Sequence, residues 1–281
     1  MWKITMKKIL LLISIAVGSL VYANPVLINK IAEPTLTELK IMTYNIAAGA
    51  NNFKVDLALT AATIKELSPD IIALQEVDRN TKRSGNLDQA EILSKLTGYN
   101  VIFGKAIDFD GGEYGIAVLS KHPIKHLDTQ KLPSGDEELR IALYTEVIIE
   151  GYPSPITFIN THLDWHENPA IRLAQVYAIN EKSLDIRDIK ILAGDFNDVD
   201  LSDTHAQLRR YWDSVFPIGM NHRTWPADNP EIGIDYIYTN KAQIWQAITT
   251  VPNQPLTNND IQWNKVSDHL PVITILKLIE Q

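Results

Sequence analysis

The chain has 281 residues, of which 45% are hydrophobic, and its formal net charge at pH 7 is −8. This composition is typical of a folded globular protein, and the length is sufficient for one large core or two small ones. The chain contains no cysteine, which excludes disulfides, thiol chemistry and a lipid-modified cysteine.

The N-terminal segment differs in character from the rest of the chain. Three lysines precede an apolar run from Ile9 to Val17, and Val21-Tyr22-Ala23 then supplies a small-x-Ala ending. This pattern predicts a signal peptide over residues 1–23, with cleavage before Asn24. The apolar run is shorter than the roughly 20 residues that cross a bilayer. We therefore expect a protein that is exported to the periplasm or secreted, with no stable membrane anchor after cleavage.

Cleavage would make the chain more acidic. It removes three lysines and no acidic residue, so the formal net charge moves from −8 to −11. An acidic surface repels phosphate backbones at long range, so nucleic acid is admitted as a partner but is not favoured. Residues 24–281 show neither an internal repeat nor a long linker, which predicts a single domain.

The first half of the mature chain alternates strand and helix patterns. Lys40–Ile46 predicts a strand, and Asp56–Leu67 predicts a helix with one apolar face. Ile71–Leu74 is a short apolar run that predicts a buried strand, with Glu76 close behind its end. Gly115–Ser120 predicts a further strand.

The second half contains hairpins as well as strand–helix units. Alternating apolar residues from Leu143 to Ile149 predict a strand, and Ile156–Leu163 predicts its hairpin partner. Residues 169–183 predict a helix after an Asn-Pro start signal. This mixture favours two largely β layers covered by helices. Four more strands are expected, at Ile189–Ala193, Ile234–Thr239, Ile244–Val251 and Leu270–Leu276.

Polar side chains recur where the predicted strands end. Strand ends that converge on one edge can hold several groups in a fixed geometry. Mg²⁺ prefers carboxylate, amide and phosphate oxygens, and imidazoles can exchange protons at neutral pH. The residue types therefore fit a magnesium-assisted reaction. The residues concerned are Asn45, Glu76, His162, Asp195, Asn197, Asp235, Asp268 and His269.

Six short fragments, in this order, resemble the motif series of the endonuclease/exonuclease/phosphatase superfamily. The resemblance covers residues 39–276 and implies an α/β (α+β) four-layer sandwich, in which two packed mixed β-sheets are flanked by helices. It also implies a metal-dependent hydrolase of phosphate esters. The fragments are Thr43-Tyr44-Asn45-Ile46, Gln75-Glu76-Val77-Asp78, Asn160-Thr161-His162-Leu163, Gly194-Asp195-Phe196-Asn197, Ile234-Asp235-Tyr236 and Ser267-Asp268-His269-Leu270-Pro271-Val272.

The same resemblance implies a metal site. Glu76 is expected to be the principal ligand of Mg²⁺, for which Mn²⁺ can substitute, and Asp268 to be a second carboxylate of the site. Asn45 is expected either to orient Glu76 or to contact the metal through its amide oxygen, and the two roles stay open.

The resemblance further implies a catalytic group around one histidine. Asp235 is expected to accept a hydrogen bond from the His269 ring and to favour its charged form. Asp195 is expected to orient or deprotonate the attacking water, and Asn197 to donate to a phosphate oxygen. His162 is expected to donate to the phosphate or to protonate the leaving group. The division of acid and base duties among Asp195, His162 and His269 stays open.

Other residues near the fragments are weaker candidates for substrate contacts. A guanidinium group matches phosphate oxygens, and an aromatic ring can stack on a base, a sugar or a lipid head group. The candidates are Arg79, Arg83, Arg172, Tyr114 and Trp165.

Two other classes of protein compete with the phosphoesterase interpretation. A zinc hydrolase is suggested by the histidines and aspartate between His162 and His166, but the chain has no cysteine and its other histidines are scattered. A non-catalytic binding module on the same fold is disfavoured because the residues expected to catalyse the reaction are all present.

The substrate of the predicted enzyme is not fixed by the sequence. A nuclease, the main alternative, needs a basic strip with stacking residues, and no such strip is evident. A lipid phosphodiesterase needs an exposed apolar loop, and none is obvious in the sequence. By elimination, a small phosphorylated metabolite or a lipid head group is slightly favoured. The sequence does not predict the oligomeric state.

Overall fold

The structure, a computed structural model, describes residues 38–51, 54–252 and 263–280. The predicted signal peptide, residues 1–23, lies outside these residues. Leu36–Gln281 forms one compact unit. Among the described residues, no helix is both long enough and apolar enough to span a membrane.

The first sheet has six strands and is mixed. One of its two central strands, β1 (Leu39–Asn45), pairs with one neighbour in parallel and with the other antiparallel. In spatial order the strands are β13 (Ile244–Thr250), β14 (Val272–Glu280), β1 (Leu39–Asn45), β4 (Ile71–Arg79), β6 (Gly112–Ser120) and β5 (Asn100–Phe109).

The second sheet also has six strands and is mixed, with one parallel pair, β9 (Ile156–His162) and β10 (Ile189–Asp195), near its centre. Two very short strands, β2 (Ala50–Asn51) and β3 (Lys54–Val55), pair outside both sheets. In spatial order the second sheet consists of β11 (Trp212–Ser214), β12 (Asp235–Asn240), β10 (Ile189–Asp195), β9 (Ile156–His162), β8 (Ile141–Val147) and β7 (Ile124–Lys131).

Five α-helices accompany the sheets in the described part of the chain. Two of them have caps that satisfy backbone groups: the Asp56 carboxylate accepts from the Leu59 N–H before the first helix, and Gly98 follows the second with a left-handed backbone. The helices are α1 (Leu57–Leu67), α2 (Gln89–Thr97), α3 (Ala170–Leu184), α4 (Asp203–Leu208) and α5 (Trp263–Val266).

The strands near the centre of each sheet are buried on both faces, which gives the molecule its layers. On β1, Leu39 and Ile41 belong to a core shared with the second sheet and α3. The alternate residues Met42 and Tyr44 belong to a separate core with α1 and α2. Because side chains alternate along a strand, one apolar run serves both cores. The predicted four-layer sandwich is confirmed.

The predicted strands and helices are present, and the structure contains several others that the sequence patterns did not predict. Two of them, β5 and β7, are the outermost strands of their sheets. Their side chains are largely exposed or half-buried, so they lack a long apolar run. The strand predicted at Ile71–Leu74 continues to Arg79, past an irregularity between Leu74 and Val77.

Candidate functional site

The strand register brings polar residues from both sheets to one junction. In the second sheet, Asp195 at the end of β10 lies opposite His162 of β9 and opposite Asp235 of β12. In the first sheet, Asn45 at the end of β1 lies opposite Gln75 of β4. These strand ends face each other across the sandwich, so side chains from distant parts of the chain meet in one place.

The end of β10 depends on a close approach between backbones. A Cβ atom on Gly194 would lie 2.0 Å from the Thr161 carbonyl oxygen of β9. Only glycine therefore allows β9 and β10 to pair tightly at this point, and the pairing sets the position of Asp195 beside His162.

Asn45 links the two sheets. Its amide nitrogen donates to Glu76 Oε1 at 3.0 Å and to Asp195 Oδ2 at 3.0 Å. Its amide oxygen accepts from the Ala47 N–H at 3.0 Å. The two carboxylates are acceptors and require the NH₂ end of the amide, so this orientation is fixed by its partners. The geometry favours the orienting role of Asn45 over metal contact through its oxygen.

Glu76 sits at a break in the regular pairing of β4. The register of β4 with β6 shifts between Leu74 and Val77, which is the signature of a β-bulge. Glu76 has a φ of 56°, a left-handed conformation that costs a non-glycine residue about 1–3 kcal/mol. The bulge places the Glu76 carboxylate within reach of Asn45, in a position that a regular strand would not provide.

Asp195 occupies the centre of the site. Its Oδ2 lies 3.6 Å from His162 Nε2 and 3.7 Å from His269 Nε2. Its Oδ1 accepts from the Asn197 backbone N–H at 2.9 Å. On the far side, His269 Nδ1 is 2.9 Å from Asp235 Oδ2. The predicted pairing of Asp235 with His269 is therefore present.

The buried charges shift the protonation of these groups in opposite directions. Burial, followed by the charge of Asp235, raises the pKa of Asp195 to about 7, against the opposing effects of His269, Asn45 and the Asn197 N–H. Burial lowers the pKa of His269, but the charge and hydrogen bond of Asp235, with the charges of Asp195 and Asp268, outweigh it and raise that pKa to about 10.

His162 is affected in the other direction. Burial, with the positive charges of Arg140 and His269, holds the pKa of His162 well below its usual value. At neutral pH the site therefore contains one charged imidazole, His269, and one neutral imidazole, His162. These two groups flank a carboxylate that can exchange a proton near pH 7.

Two places in the site could hold a cation. Burial raises the pKa of Glu76, and the nearby charge of Asp268 adds to this effect, although Asn45, His269 and Arg140 oppose it. An ion between Glu76 and Asp268 would offset this cost, and its ligands would be oxygens. The donor set therefore fits a hard divalent cation.

The second place consists of Asp195, Asp235 and His269, whose ligand atoms lie within 4.8 Å of one another. His269 Nδ1 already bonds to Asp235, and a charged imidazole has no lone pair for a metal. Glu76 and Asp268 are thus the better cation ligands.

A cavity of about 510 Å³ opens at this junction. Most of the predicted site residues line it, together with others that the motifs did not indicate. The lining residues are Glu76, Tyr114, Glu138, Arg140, His162, Trp165, Asp195, Asn197, Trp225, Ile232, Ile234, Asp268 and His269.

Arg140 is the main residue that the sequence reasoning missed. It is buried, lines the cavity, and its Nη1 lies 3.3 Å from Glu138 Oε1. Its Nε atom has no hydrogen-bond partner among the described residues. A buried guanidinium with an unused donor is suited to an anion. The available signal was an arginine directly before the apolar strand β8, which lies beside the strand of His162.

Arg79, Arg83 and Arg172 do not line this cavity, and their contact with substrate stays a prediction. Arg79 pairs with Glu113, and Arg83 binds the Asp78 carboxylate through two nitrogens at 2.8 Å each. Arg172 is buried and binds Asp198 together with backbone oxygens of the neighbouring loop. Each guanidinium is engaged in holding a loop, because an acidic partner lies within its reach.

The remaining candidates do line the cavity. Tyr114 is half-buried in its wall, and Trp165 is exposed at its edge. The Trp165 ring stacks on His166, with ring centroids 4.3 Å apart. His166 bonds to Asp164 and lies 3.3 Å from Glu137, and neither His162 nor His166 belongs to the cluster of possible metal ligands found among the described residues. His162 and His166 therefore do not converge, which is against a zinc site between them.

A two-sheet sandwich that gathers carboxylates and imidazoles at the junction of its sheets is the framework of a metal-dependent hydrolase. The sequence matches the Endonuclease/Exonuclease/phosphatase family over residues 42–269, and the chain belongs to this family. Members of the family are metal-dependent phosphoesterases and nucleases, so the chain is an enzyme that hydrolyses ester bonds.

Relatives of known sequence span most of the chain. The uncharacterized protein YbhP of Escherichia coli (strain K12) is 27% identical over 247 residues, which cover 83% of this chain and 94% of that protein. YbhP of Shigella flexneri gives the same values.

Solved structures share the fold at lower identity. The endonuclease/exonuclease/phosphatase of Beutenbergia cavernae has a TM-score of 0.69 at 22% identity, over 86% of this chain and 72% of that one. A mannosyl-6-phosphatase of Bacteroides thetaiotaomicron has a TM-score of 0.64 at 17% identity, over 85% and 99%. The human Nocturnin catalytic domain has a TM-score of 0.64 at 19% identity, over 86% and 94%.

Proposed function

We propose that the chain is an exported, Mg²⁺-dependent phosphoesterase that cleaves a small phosphorylated metabolite or a lipid head group by attack of water. The observation that supports this most strongly is the position of Asp195. Its carboxylate lies 3.6 and 3.7 Å from two imidazole nitrogens, and burial with the charge of Asp235 raises its pKa to about 7. A base of that pKa can accept a proton from water at neutral pH.

The surrounding groups have complementary roles in this proposal. Asp195 Oδ2 takes the proton from the attacking water. His269, kept charged by Asp235, donates to a phosphoryl oxygen and stabilises the negative charge that develops there. One side-chain amide hydrogen of Asn197 bonds to the Leu163 carbonyl at 3.0 Å, and the other donates to another phosphoryl oxygen. His162 is neutral, and its Nε2–H donates to the phosphate or to the leaving oxygen.

Glu76 and Asp268 are the proposed ligands of Mg²⁺, for which Mn²⁺ can substitute. The raised pKa of the partly buried Glu76 carboxyl supports a cation beside it. Asn45 orients Glu76 and Asp195 through its amide hydrogens. When bound there, Mg²⁺ polarises a phosphoryl oxygen and stabilises charge on the leaving oxygen.

The charges of the cavity favour a substrate with one phosphate group. Arg140 is the only lysine or arginine among the described lining residues. The same cavity is lined by four residues with carboxylate side chains: Glu76, Glu138, Asp195 and Asp268. A polynucleotide would bring further phosphates without cationic partners. A secreted nuclease is therefore the weaker alternative, and the fold shared with a mannosyl-6-phosphatase is compatible with a small phosphate ester.

Export is proposed from the N-terminal sequence alone. The three lysines and the apolar run that precede Asn24 have the pattern of a cleaved secretory signal.

The substrate class can be tested with residues 24–281, which contain the whole compact unit Leu36–Gln281. Hydrolysis of p-nitrophenyl phosphate, bis-p-nitrophenyl phosphate, glycerophosphocholine and plasmid DNA would be followed with Mg²⁺, with Mn²⁺ and with EDTA. We expect Mg²⁺-dependent cleavage of at least one small ester, with DNA cleaved far more slowly. DNA as the preferred substrate would overturn the substrate class and leave the enzyme class intact.

A further inference from the structure

An apolar patch lies on two loops beside the catalytic cavity. It consists of Val199, Leu201, Ile218 and Met220, all exposed; Leu201 is 75% and Ile218 70% accessible. The two loops touch, because the Gly219 N–H donates to the Asp200 carboxylate. Val199, Leu201 and Met220 also line one groove of about 170 Å³. The patch is therefore continuous in space although its residues come from separate segments.

The patch presents no exposed charge. The charged residue between Val199 and Leu201 is Asp200, which is buried and paired with Arg209, and the neighbouring Asp198 pairs with Arg172. The nearest exposed charged residues along the chain are Asp203, Asp213 and Arg223, so both signs are present beside the patch. In a chain with 21% charged residues, an uncharged exposed aliphatic surface marks a site of interaction.

The patch adjoins the catalytic cavity through one short segment. Ile232 and Ile234 line the cavity, and Gly233 between them lines the groove beneath the patch. Asn197, another cavity residue, precedes Val199 by two positions. A surface that covered the patch would therefore lie next to the mouth of the cavity.

We propose that this patch docks the enzyme onto a zwitterionic lipid surface, so that phosphate esters in the head groups reach the catalytic cavity. Exposed aliphatic side chains insert at the boundary between head groups and acyl chains. The acidic net charge, −8 for the whole chain and −11 once the three lysines of residues 1–23 are removed, opposes an anionic membrane, whereas flanking charges of both signs are compatible with a zwitterionic one. The sequence alone suggested no apolar loop, because the four residues are divided between two segments.

A second copy of the chain is a poorer occupant of the patch. Each partner of a standard dimer interface buries roughly 800 Å², and four aliphatic side chains fall well short of that area. The docking itself does not require catalysis, but the delivery of a head-group phosphate to the cavity rests on the proposed function.

The test is a vesicle partition measurement on residues 24–281. The double variant Leu201→Ser with Ile218→Ser removes the two most exposed members of the patch. The double variant Leu184→Ser with Ile248→Ser is the matched control, because these residues are 61% and 64% exposed and line neither the cavity nor the groove. Binding to phosphatidylcholine vesicles and to vesicles rich in phosphatidylglycerol would be measured by co-sedimentation. Hydrolysis of bis-p-nitrophenyl phosphate would be followed in parallel.

We expect wild type and control to bind phosphatidylcholine vesicles alike, and the patch variant to bind at least about tenfold more weakly. Hydrolysis of the soluble ester would be unchanged in all three proteins. Three results would each overturn the docking proposal: absence of wild-type binding, equal loss in both variants, or preference for the anionic vesicles. A wild-type dimer that the patch variant alone dissociates would also overturn it, by assigning the patch to self-association. Absence of hydrolysis in every protein would instead count against the proposed function.

Discussion

One amide group, that of Asn45, explains how two carboxylates can lie close together in the site. Its two hydrogens point at Glu76 and Asp195, at 3.0 Å each. The amide carries no net charge, so it holds the carboxylates in place without neutralising them. The carboxyl of Glu76 and that of Asp195 both keep raised pKa values. Asn45 thus preserves both a cation ligand and a base.

Arg140 is expected to bind the phosphate group directly. The variant Arg140→Met should raise KM for bis-p-nitrophenyl phosphate roughly 10- to 100-fold, because a charge-assisted hydrogen bond contributes about 1.5–3 kcal/mol. Arg140→Lys should restore part of the loss, since it keeps the charge without the planar fork. Steady-state kinetics would measure both effects.

The matched control for Arg140 is Arg210→Met, which removes an exposed guanidinium that does not line the cavity. It should leave KM unchanged. A KM for Arg140→Met within twofold of wild type would show that the buried guanidinium does not contact the substrate.

At the scale of secondary-structure elements, α4 is held against the second sheet by a neutral histidine. His205 of α4 is fully buried; its Nδ1 accepts from the Tyr238 hydroxyl of β12 at 2.5 Å, and its Nε2–H donates to the Asp198 carbonyl at 3.1 Å. This arrangement uses both nitrogens of the neutral ring. Burial lowers the pKa of His205 to about 4.

His205 should therefore make folding sensitive to acid. The pKa of His205 is lower in the folded chain than its ordinary value of 6.5. Below pH 6.5, His205 therefore binds a proton in the unfolded chain but stays neutral in the folded chain. Stability is present above that pH and is lost as the pH falls toward 4. Between pH 7.5 and pH 4.5 this amounts to about 2–3 kcal/mol.

Urea unfolding of wild type and His205→Gln at the two pH values would measure this contribution. The variant will be less stable at pH 7.5, because the hydrogen bonds of the ring are altered, but it should lose about 2–3 kcal/mol less than wild type on acidification. An equal loss in both proteins would mean that His205 is protonated in the folded state.

The sequence was informative about elements where periodicity or apolar runs are strong. The central strands β1, β4, β9 and β10 are buried on both faces, and their apolar runs identified them. The edge strands β5 and β7 have one side open to solvent, so their sequences mix polar and apolar residues. These sequences therefore contain no apolar run that predicts a strand. The β-bulge at Glu76 could not be predicted from the sequence either, because Glu76 is neither glycine nor a typical turn residue.

At the scale of the whole molecule, the site exists because two sheets meet at their strand ends. Gln75 of the first sheet donates to Asn160 of the second at 2.8 Å, beside the link from Asn45 to Asp195. The buried Asn160 also donates to backbone carbonyls of β4 and β6. The site is thus attached to both sheets, and neither sheet alone contains it.

This assembly also sets the limit on what the sequence could predict about the site. Residues such as Asp195 and His269 stand in recognisable fragments, and the structure brings them together. The three arginine candidates were chosen for proximity in the chain, and their partners Glu113, Asp78 and Asp198 became evident only in three dimensions. Arg140 was missed for the converse reason, because its surroundings come from other strands.

The central claim is that metal-dependent ester hydrolysis depends on Asp195. The most direct test is kcat/KM for bis-p-nitrophenyl phosphate with Mg²⁺, for wild type, Asp195→Asn and the exposed control Asp203→Asn. We predict that Asp195→Asn loses activity by about 10²- to 10⁴-fold while its thermal unfolding stays cooperative, and that EDTA abolishes activity in wild type and control alike. Near-normal turnover by Asp195→Asn, or wild-type activity that persists in EDTA, would contradict the claim.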